Sequence, residues 1–241
     1  MKYFILSGEV SVDLHGSNLV KEIAALDKHA VFKGTGGQYL SHSGVEIVLP
    51  IEQMSFMGFW EVLKNWNTIR KNFSIVKQAI TSFQPEVMIL IDYPGFNMRM
   101  AKWCKQQGYK VVYYISPKFW AWRENRVEKI KKYVDLMLCI LPFEEAFYQK
   151  HCYTKAHYIG HPLLDAIAVT TNDNLRKHIA LLPGSRTQEI QSLLPVFLQV
   201  AQHFPNVQFV IAGMSAMAHL YPSALPSNIK ISFDETYNVL H

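Results

Sequence analysis

The sequence predicts an α/β fold built on a parallel sheet, from three observations. Strand-length apolar runs at residues 3–6, 45–49, 87–91, 111–115, 136–141, 179–182 and 207–211 alternate with helix-length segments, the pattern of repeated βα units. Breakers fall between them: Gln84-Pro85 ends the long helix before the third run, Gly108 ends a helix begun near Phe96, and Phe204-Pro205-Asn206 separates a helix from the last run. One polar stretch, residues 169–174, reads Val-Thr-Thr-Asn-Asp-Asn and is linker-like. It divides the chain into an N-terminal domain, residues 1–168, and a C-terminal segment, residues 175–241, whose βαβ character matches half of a second Rossmann-like domain.

Composition agrees with this reading. With 241 residues, 49% of them apolar and 18% charged, the chain can bury a sizeable core and is neither a disordered tail nor a stapled mini-protein. Cys104, Cys139 and Cys152 form no C-x-x-C pair, and their odd number argues against a secreted disulfide framework, so a reducing cytoplasm is expected. The formal charge of +5 favours anionic partners. Six basic and two acidic residues lie between Lys118 and Lys132, so most of that excess sits in one patch. The patch is either a solvated helix face or a contact for an anionic surface.

The first strand stops at Ser7-Gly8-Glu9. Its apolar run is too short for a signal core of about 7 residues or for the roughly 18 that span a bilayer. No other run is long enough to span, so membrane contact is expected to be peripheral. The following loop enters a helix and holds Glu9, Ser11, Asp13 and His15. Open parallel sheets bind ligands at the carboxyl ends of their strands, which places Glu9, Asp13 and His15 to face one. The plainer alternative is that Ser11 or Asp13 caps the helix. The loop lacks the glycines of a G-x-G-x-x-G phosphate fingerprint.

An aromatic-rich helix follows the second run, carrying Phe56, Phe59, Trp60, Leu63, Trp66, Ile69 and Phe73 with Lys64, Arg70 and Lys71 alongside. Its apolar arc is wider than one core contact needs. Either the stripe is core, or Phe59, Trp60, Leu63, Trp66 and Ile69 enter a lipid interface while the cations meet headgroups. The third run ends in Asp92-Tyr93-Pro94-Gly95-Phe96-Asn97. A carboxylate at the sheet edge before a Pro-Gly turn suits a general base, or else caps the next helix. The fourth run leads into Ser116-Pro117-Lys118-Phe119-Trp120-Ala121-Trp122-Arg123, where large aromatics beside cations suit sugar or phosphate contacts, or pack as a loop.

Cys139 lies within the fifth run and reads as core. His157 and His161 are four apart, but Gly160 and Pro162 break the helix that would align them and no carboxylate completes a ligand set, so no metal site is predicted. After the sixth run, Leu181-Leu182-Pro183-Gly184-Ser185-Arg186 turns into a helix starting near Thr187 with Glu189 in its first turn. Close backbone approach at Gly184, free N–H groups and a bidentate Arg186 make this the best anion site by residue type.

Taken in order, Gly8-Glu9 with Ser11 and Asp13, Gly58 with Glu61-Val62-Leu63, Ile91-Asp92 with Pro94, Phe96 and Asn97, Ser116-Pro117 with Trp120-Ala121-Trp122-Arg123, Pro142-Phe143-Glu144, Gly160-His161 and residues 181–186 resemble the lipid-A-disaccharide synthase family. The resemblance runs from the first strand to about Arg186 and is most specific at Trp-Ala-Trp-Arg. It implies a GT-B fold, with an acceptor-side, membrane-associating domain followed by part of a donor domain. The implied enzyme is an inverting bacterial hexosyltransferase of lipid A biosynthesis. It joins UDP-2,3-diacylglucosamine to 2,3-diacylglucosamine 1-phosphate (lipid X) and releases UDP, without a metal or other cofactor, on the inner face of the inner membrane.

The resemblance also implies roles. Asp92 aligns with the essential carboxylate, Glu9 is the second candidate for the base, and Arg186 aligns with the arginine on the diphosphate side. Ser11, Asp13, Asn97, Ser116, Trp120, Trp122, Arg123, Gly184 and Ser185 are expected around the substrates, and an anionic membrane beside Phe59, Trp60, Leu63, Trp66 and Ile69. Nucleic acid is not an expected partner, and a homo-oligomer is left open. Three departures stand out: Val12 replaces a family glycine, Gly95 stands where an acidic residue is common, and the family's chain continues past His241 with the rest of the donor domain. The last makes a non-catalytic sugar-nucleotide or lipid-binding module the alternative to an enzyme.

Overall fold

The computed structural model describes residues 1–54, 65–122, 124–166 and 178–240, so the expected linker and most of the aromatic segment before Trp66 lie outside the described residues. The chain groups into two compact units, Met1–Pro162 and Leu163–His241.

The first unit is organised around seven strands: β1 (Lys2–Leu6), β2 (Val31–Gly36), β3 (Val45–Pro50), β4 (Val87–Ile91), β5 (Lys110–Tyr114), β6 (Leu136–Cys139) and β7 (Ala156–Tyr158). They form one sheet in the order β3-β2-β1-β4-β5-β6-β7, with every neighbouring pair parallel. The connecting helices are α1 (Val10–Leu26), α2 (Gln38–His42), α3 (Trp66–Phe83), α4 (Pro94–Gln106), α5 (Phe119–Trp122), α6 (Val127–Tyr133) and α7 (Pro142–Lys150).

Both faces of the sheet are covered, which is why β1 and β4 read as unbroken apolar runs rather than alternating ones. Phe4, Leu6, Met88 and Leu90 pack with Val76 and Ile80 of α3, Met100 and Cys104 of α4, and Ile130 of α6. Their strand neighbours Ile5, Ile89 and Ile91 point the other way and pack with Val12 and Val20 of α1 and Leu40 of α2. Cys104 and Cys139 are buried in the first of these cores.

Three strands go beyond the sequence expectation: β2, β7 and the last strand of the second unit. In β2 the glycines imitate a turn, yet a Cβ at Gly34 would lie 2.1 Å from the Ile5 carbonyl oxygen, so glycine there permits the close approach of β1. The predicted helix ends hold. Gln84 follows α3 at φ 52° and Gly108 follows α4 at φ 86°.

The strand order reverses direction between β1 and β4, the kind of switch point at which open parallel sheets bind ligands. From β1 the chain crosses through α1 to β2 on one side, and from β4 through α4 to β5 on the other. The loops leaving β1 and β4 therefore diverge from adjacent strand ends and leave a crevice between them.

The second unit contains α8 (Leu163–Ala166), β8 (Ile179–Leu181), α9 (Thr187–His203), β9 (Phe209–Gly213), β10 (Ile229–Phe233) and α10 (Thr236–Leu240). Its strands are parallel in the order β10-β9-β8. Ile190, Leu194 and Ala201 of α9 pack on Leu181, Phe209, Ile211 and Ile229.

Candidate active site

Asp92 stands at the crevice, one residue past β4. Its backbone N–H donates to the Tyr114 carbonyl at 2.9 Å, and its own carbonyl accepts from the Tyr113 hydroxyl at 2.6 Å and the Asn97 amide at 2.8 Å. Asp92 and Tyr93 both hold left-handed backbone (φ 44° and 48°), and so does Ile115 at the end of β5 (φ 64°). Such conformations cost non-glycine residues on the order of 1–3 kcal/mol each and persist only where the surroundings impose them. They turn the chain sharply out of the sheet, so that α4 starts at Pro94 with Tyr93, not Asp92, at its N-cap.

Asn97 explains part of that rigidity. It is buried, and its amide nitrogen lies near three carbonyls, Asp92 (2.8 Å), Ile91 (3.1 Å) and Leu6 (3.4 Å). One side chain thus ties the ends of β1 and β4 together. Gly8, in the loop after β1, meets Tyr93 from the other side: a Cβ there would sit 2.4 Å from Tyr93 Cδ1. The Tyr93 hydroxyl donates to the Met54 carbonyl at 2.7 Å, which fixes the ring. The Ser7 hydroxyl and Asn97 Oδ1 are buried here without a hydrogen-bond partner among the described residues.

The electrostatics single out Asp92. Burial pushes its carboxyl up from the ordinary 3.8 to about 6, the negative charge of Glu9 adds to the rise, and the Tyr93 backbone N–H and the Lys118 ammonium oppose it. A carboxylate with that value is ionised at neutral pH and more basic than an exposed one, the property a general base needs. Glu9 therefore lies close enough to Asp92 for its charge to act on that carboxyl. Lys118 joins them, although the sequence marks it only as a cation flanking the tryptophans. Tyr113 is fully buried, and burial together with the Asp92 charge holds its phenol well above the usual range, so it remains a donor.

Other expected residues take supporting positions. Glu9 occupies the N-cap of α1, and Asp13 is buried with both oxygens accepting backbone N–H groups, from Gly37 (2.7 Å) and Tyr39 (2.9 Å). Asp13 thereby anchors α2 to α1. His15 is half-buried, and burial, with His161 nearby, lowers its imidazole pKa. Ser116 is buried and shares a hydrogen bond with the Tyr148 hydroxyl at 2.9 Å. Trp120 donates from Nε1 to Glu144 at 3.2 Å and meets the Phe143 ring edge-on at 4.8 Å. Glu144, itself buried, also accepts from the Ile140 and Leu141 backbone N–H groups. That makes it the residue that positions Trp120, a role with no local signal in the sequence.

Trp66 and Ile69 open α3, with Trp66 44% exposed. The side chains of Ser11 and Trp122, and the whole of Arg123, Phe59, Trp60 and Leu63, lie outside the described residues. No helix among the described residues is long and apolar enough to cross a membrane.

In the second unit, α9 starts at Thr187 and Arg186 holds its N-cap. The anion position there is taken by Glu189, whose carboxylate accepts from the Ser185 backbone N–H and from Arg186 Nη1, both at 3.1 Å, and lies against Gly184.

The family model described as lipid-A-disaccharide synthetase matches residues 3–221. The chain is 40% identical to the lipid-A-disaccharide synthase of Geobacter metallireducens, covering 99% of this chain and 67% of that protein. It is 38% identical to that of Trichlorobacter lovleyi (90% and 60%) and 38% identical to that of Coxiella burnetii (86% and 58%). The chain thus spans about three fifths to two thirds of the length of these relatives.

Among solved structures it resembles the UDP-GlcNAc 2-epimerase of Neisseria meningitidis bound to UDP-GlcNAc (TM-score 0.66, 12% identity, 100% of this chain and 74% of that one). It also resembles the glycotransferase of kitacinnamycin (TM-score 0.61, 12% identity, 96% and 70%). These likenesses establish the fold, an α/β architecture of the GT-B type. By the family match and the identities to its relatives, the chain belongs to the lipid-A-disaccharide synthetase family.

Proposed function

We propose that this chain carries the acceptor-side machinery, and part of the donor-side machinery, of an inverting glycosyltransferase. The reaction joins UDP-2,3-diacylglucosamine to 2,3-diacylglucosamine 1-phosphate, forming the β-1,6-linked lipid A disaccharide 1-phosphate and releasing UDP. Asp92 takes the proton from the acceptor's 6-hydroxyl as that oxygen bonds to the anomeric carbon, and the bond from that carbon to the UDP oxygen breaks. The Glu9 charge keeps Asp92 basic. Asn97 and Tyr113 hold its backbone in place, and Lys118 draws an anionic substrate toward the crevice. In the second unit, Gly184, Ser185 and Arg186 serve the diphosphate, with Glu189 giving way as it binds. Trp120, Trp122 and Arg123 line the sugar side. No metal or other cofactor takes part, and the protein works at an anionic membrane surface on the cytoplasmic side.

The observation that carries this reading is Asp92 itself: a carboxylate at the switch point of the sheet, raised to about 6 by burial and by Glu9. In an active form extended to the length of the relatives, Asp92→Asn should lower the rate of UDP release on the order of 10²- to 10⁴-fold while leaving lipid binding nearly intact. Turnover at the unmodified rate would refute the assignment.

A further inference from the structure

The segment that follows β5 is held at both ends by one helix, α7. Ile115 leaves β5 in left-handed backbone at φ 64°, a conformation that a β-branched residue keeps only where its surroundings impose it. Its N–H donates to the Leu138 carbonyl of β6 at 3.1 Å. The next residue, Ser116, is buried and shares a hydrogen bond of 2.9 Å with the Tyr148 hydroxyl of α7. Four residues on, Trp120 donates from Nε1 to Glu144 Oε1 at 3.2 Å. The other oxygen of Glu144 accepts the Ile140 and Leu141 backbone N–H groups at 3.2 and 3.0 Å, so one buried carboxylate joins the start of α7 to the tryptophan. Between these two anchors, Lys118 is the one exposed residue of 116–120.

We infer that α7 is a brace for the Lys118 ammonium, and that Glu144 and Tyr148 are positioning residues that keep this cation beside Asp92 by fixing the segment that carries it. The functional weight of the inference rests on the reading above that Asp92 is the base. Asp92 is faced by Glu9 from the loop after β1, by Tyr113 from β5 and by Lys118 from the braced segment. Glu9 sits at a helix N-cap and Tyr113 within a strand, so their places follow from the sheet. Lys118 has no such support. Its charge rides on a flexible four-carbon stem, so the backbone beneath it sets how near the ammonium stays. Coulomb attraction falls with that separation. Left-handed Ile115 and Pro117, which lacks a backbone donor, give the segment little to hold its shape by itself. Its anchors come from residues 32 and 24 positions further along the chain. The geometry thus couples α7 to the charge balance at Asp92.

The test follows the Asp92 carboxyl carbon by NMR in the 241-residue chain as pH is varied. Lys118→Gln should raise the midpoint above its value of about 6 by about 0.2–0.7 of a pH unit, the size of an exposed ion pair. Glu144→Gln keeps one oxygen for the Ile140 and Leu141 N–H groups but sets an amide N–H against the indole N–H, so it frees Trp120 while the start of α7 survives. It should raise the midpoint too, whereas loss of a Glu144 charge acting directly on Asp92 would lower it. Trp120→Phe and Tyr148→Phe each cut one anchor without changing charge, and should shift it the same way. In a Lys118→Gln background none of the three should shift it further. Thermal melting identifies a variant that fails to fold; Tyr148→Phe keeps its ring and carries the test if Glu144→Gln does not fold. A midpoint unmoved in Lys118→Gln, unmoved in both phenylalanine variants, or lowered in Glu144→Gln would overturn the proposal. Shifts that persist without Lys118 would also overturn it, leaving α7 a packing role only. The reading of the reaction is tested separately: these shifts in a protein whose extended form releases no UDP would uphold the brace and sink the glycosyltransferase.

Discussion

Asp92→Asn should make the protein more stable at neutral pH, even as it removes the base. The folded carboxyl titrates near 6 against an ordinary value of 3.8. Between those two values the native state binds more protons than the unfolded chain, so stability falls as pH rises. Below about pH 4 the group is neutral in both states and imposes no cost. Above about pH 6 the full cost of keeping a half-buried charge beside Glu9 is present. At 1.36 kcal/mol per pH unit the difference amounts to about 3 kcal/mol. Asparagine has nearly the same shape, never ionises and tolerates left-handed backbone. Urea unfolding of both proteins at pH 4, 5, 6 and 7.5 measures the effect. The variant's advantage should be small at pH 4 and grow toward about 3 kcal/mol at pH 7.5. A gap that does not change with pH, or a wild type that is the more stable at pH 7.5, would refute the electrostatic argument.

Glu9→Gln removes the charge that helps raise Asp92, so the Asp92 carboxyl resonance should titrate below 6, and an unmoved midpoint would show that Glu9 lies outside its field. Gly8→Ala drives a methyl into the Tyr93 ring, and thermal melting should show a loss of about 1–3 kcal/mol; a neutral effect would mean that the two loops do not meet as described. Changing Trp60, Leu63 and Trp66 to serine should release the protein from anionic liposomes while cooperative melting persists. Loss of the melting transition would identify those residues as core.

The sheet was legible where burial on both faces leaves an unbroken apolar signature, as in residues 3–6 and 87–91, now β1 and β4. It was not legible in β2, where Gly34 serves packing against Ile5 and reads locally as a turn. The same divide separates the site residues. Asp92 stood out as a candidate because a strand end, a carboxylate and a Pro-Gly turn are contiguous. The role of Asp13 could not, because its partners Gly37 and Tyr39 are 24 and 26 residues away. Glu144 is likewise 24 residues from Trp120, and only the fold brings them together. At Gly184-Ser185-Arg186 the residue types pointed to an anion site, but the carboxylate of Glu189 on those donors is a matter of helix geometry.

The role of Asp92 as base is the central claim, and a pH–rate profile of a form extended to the length of the relatives tests it most directly. UDP release should give a kcat/KM that rises through about pH 6, the value to which partial burial raises the Asp92 carboxyl. Asp92→Asn should lower the rate on the order of 10²- to 10⁴-fold and remove that limb. A profile without a rise near 6, or an Asp92→Asn enzyme that keeps both the rate and the limb, would contradict it.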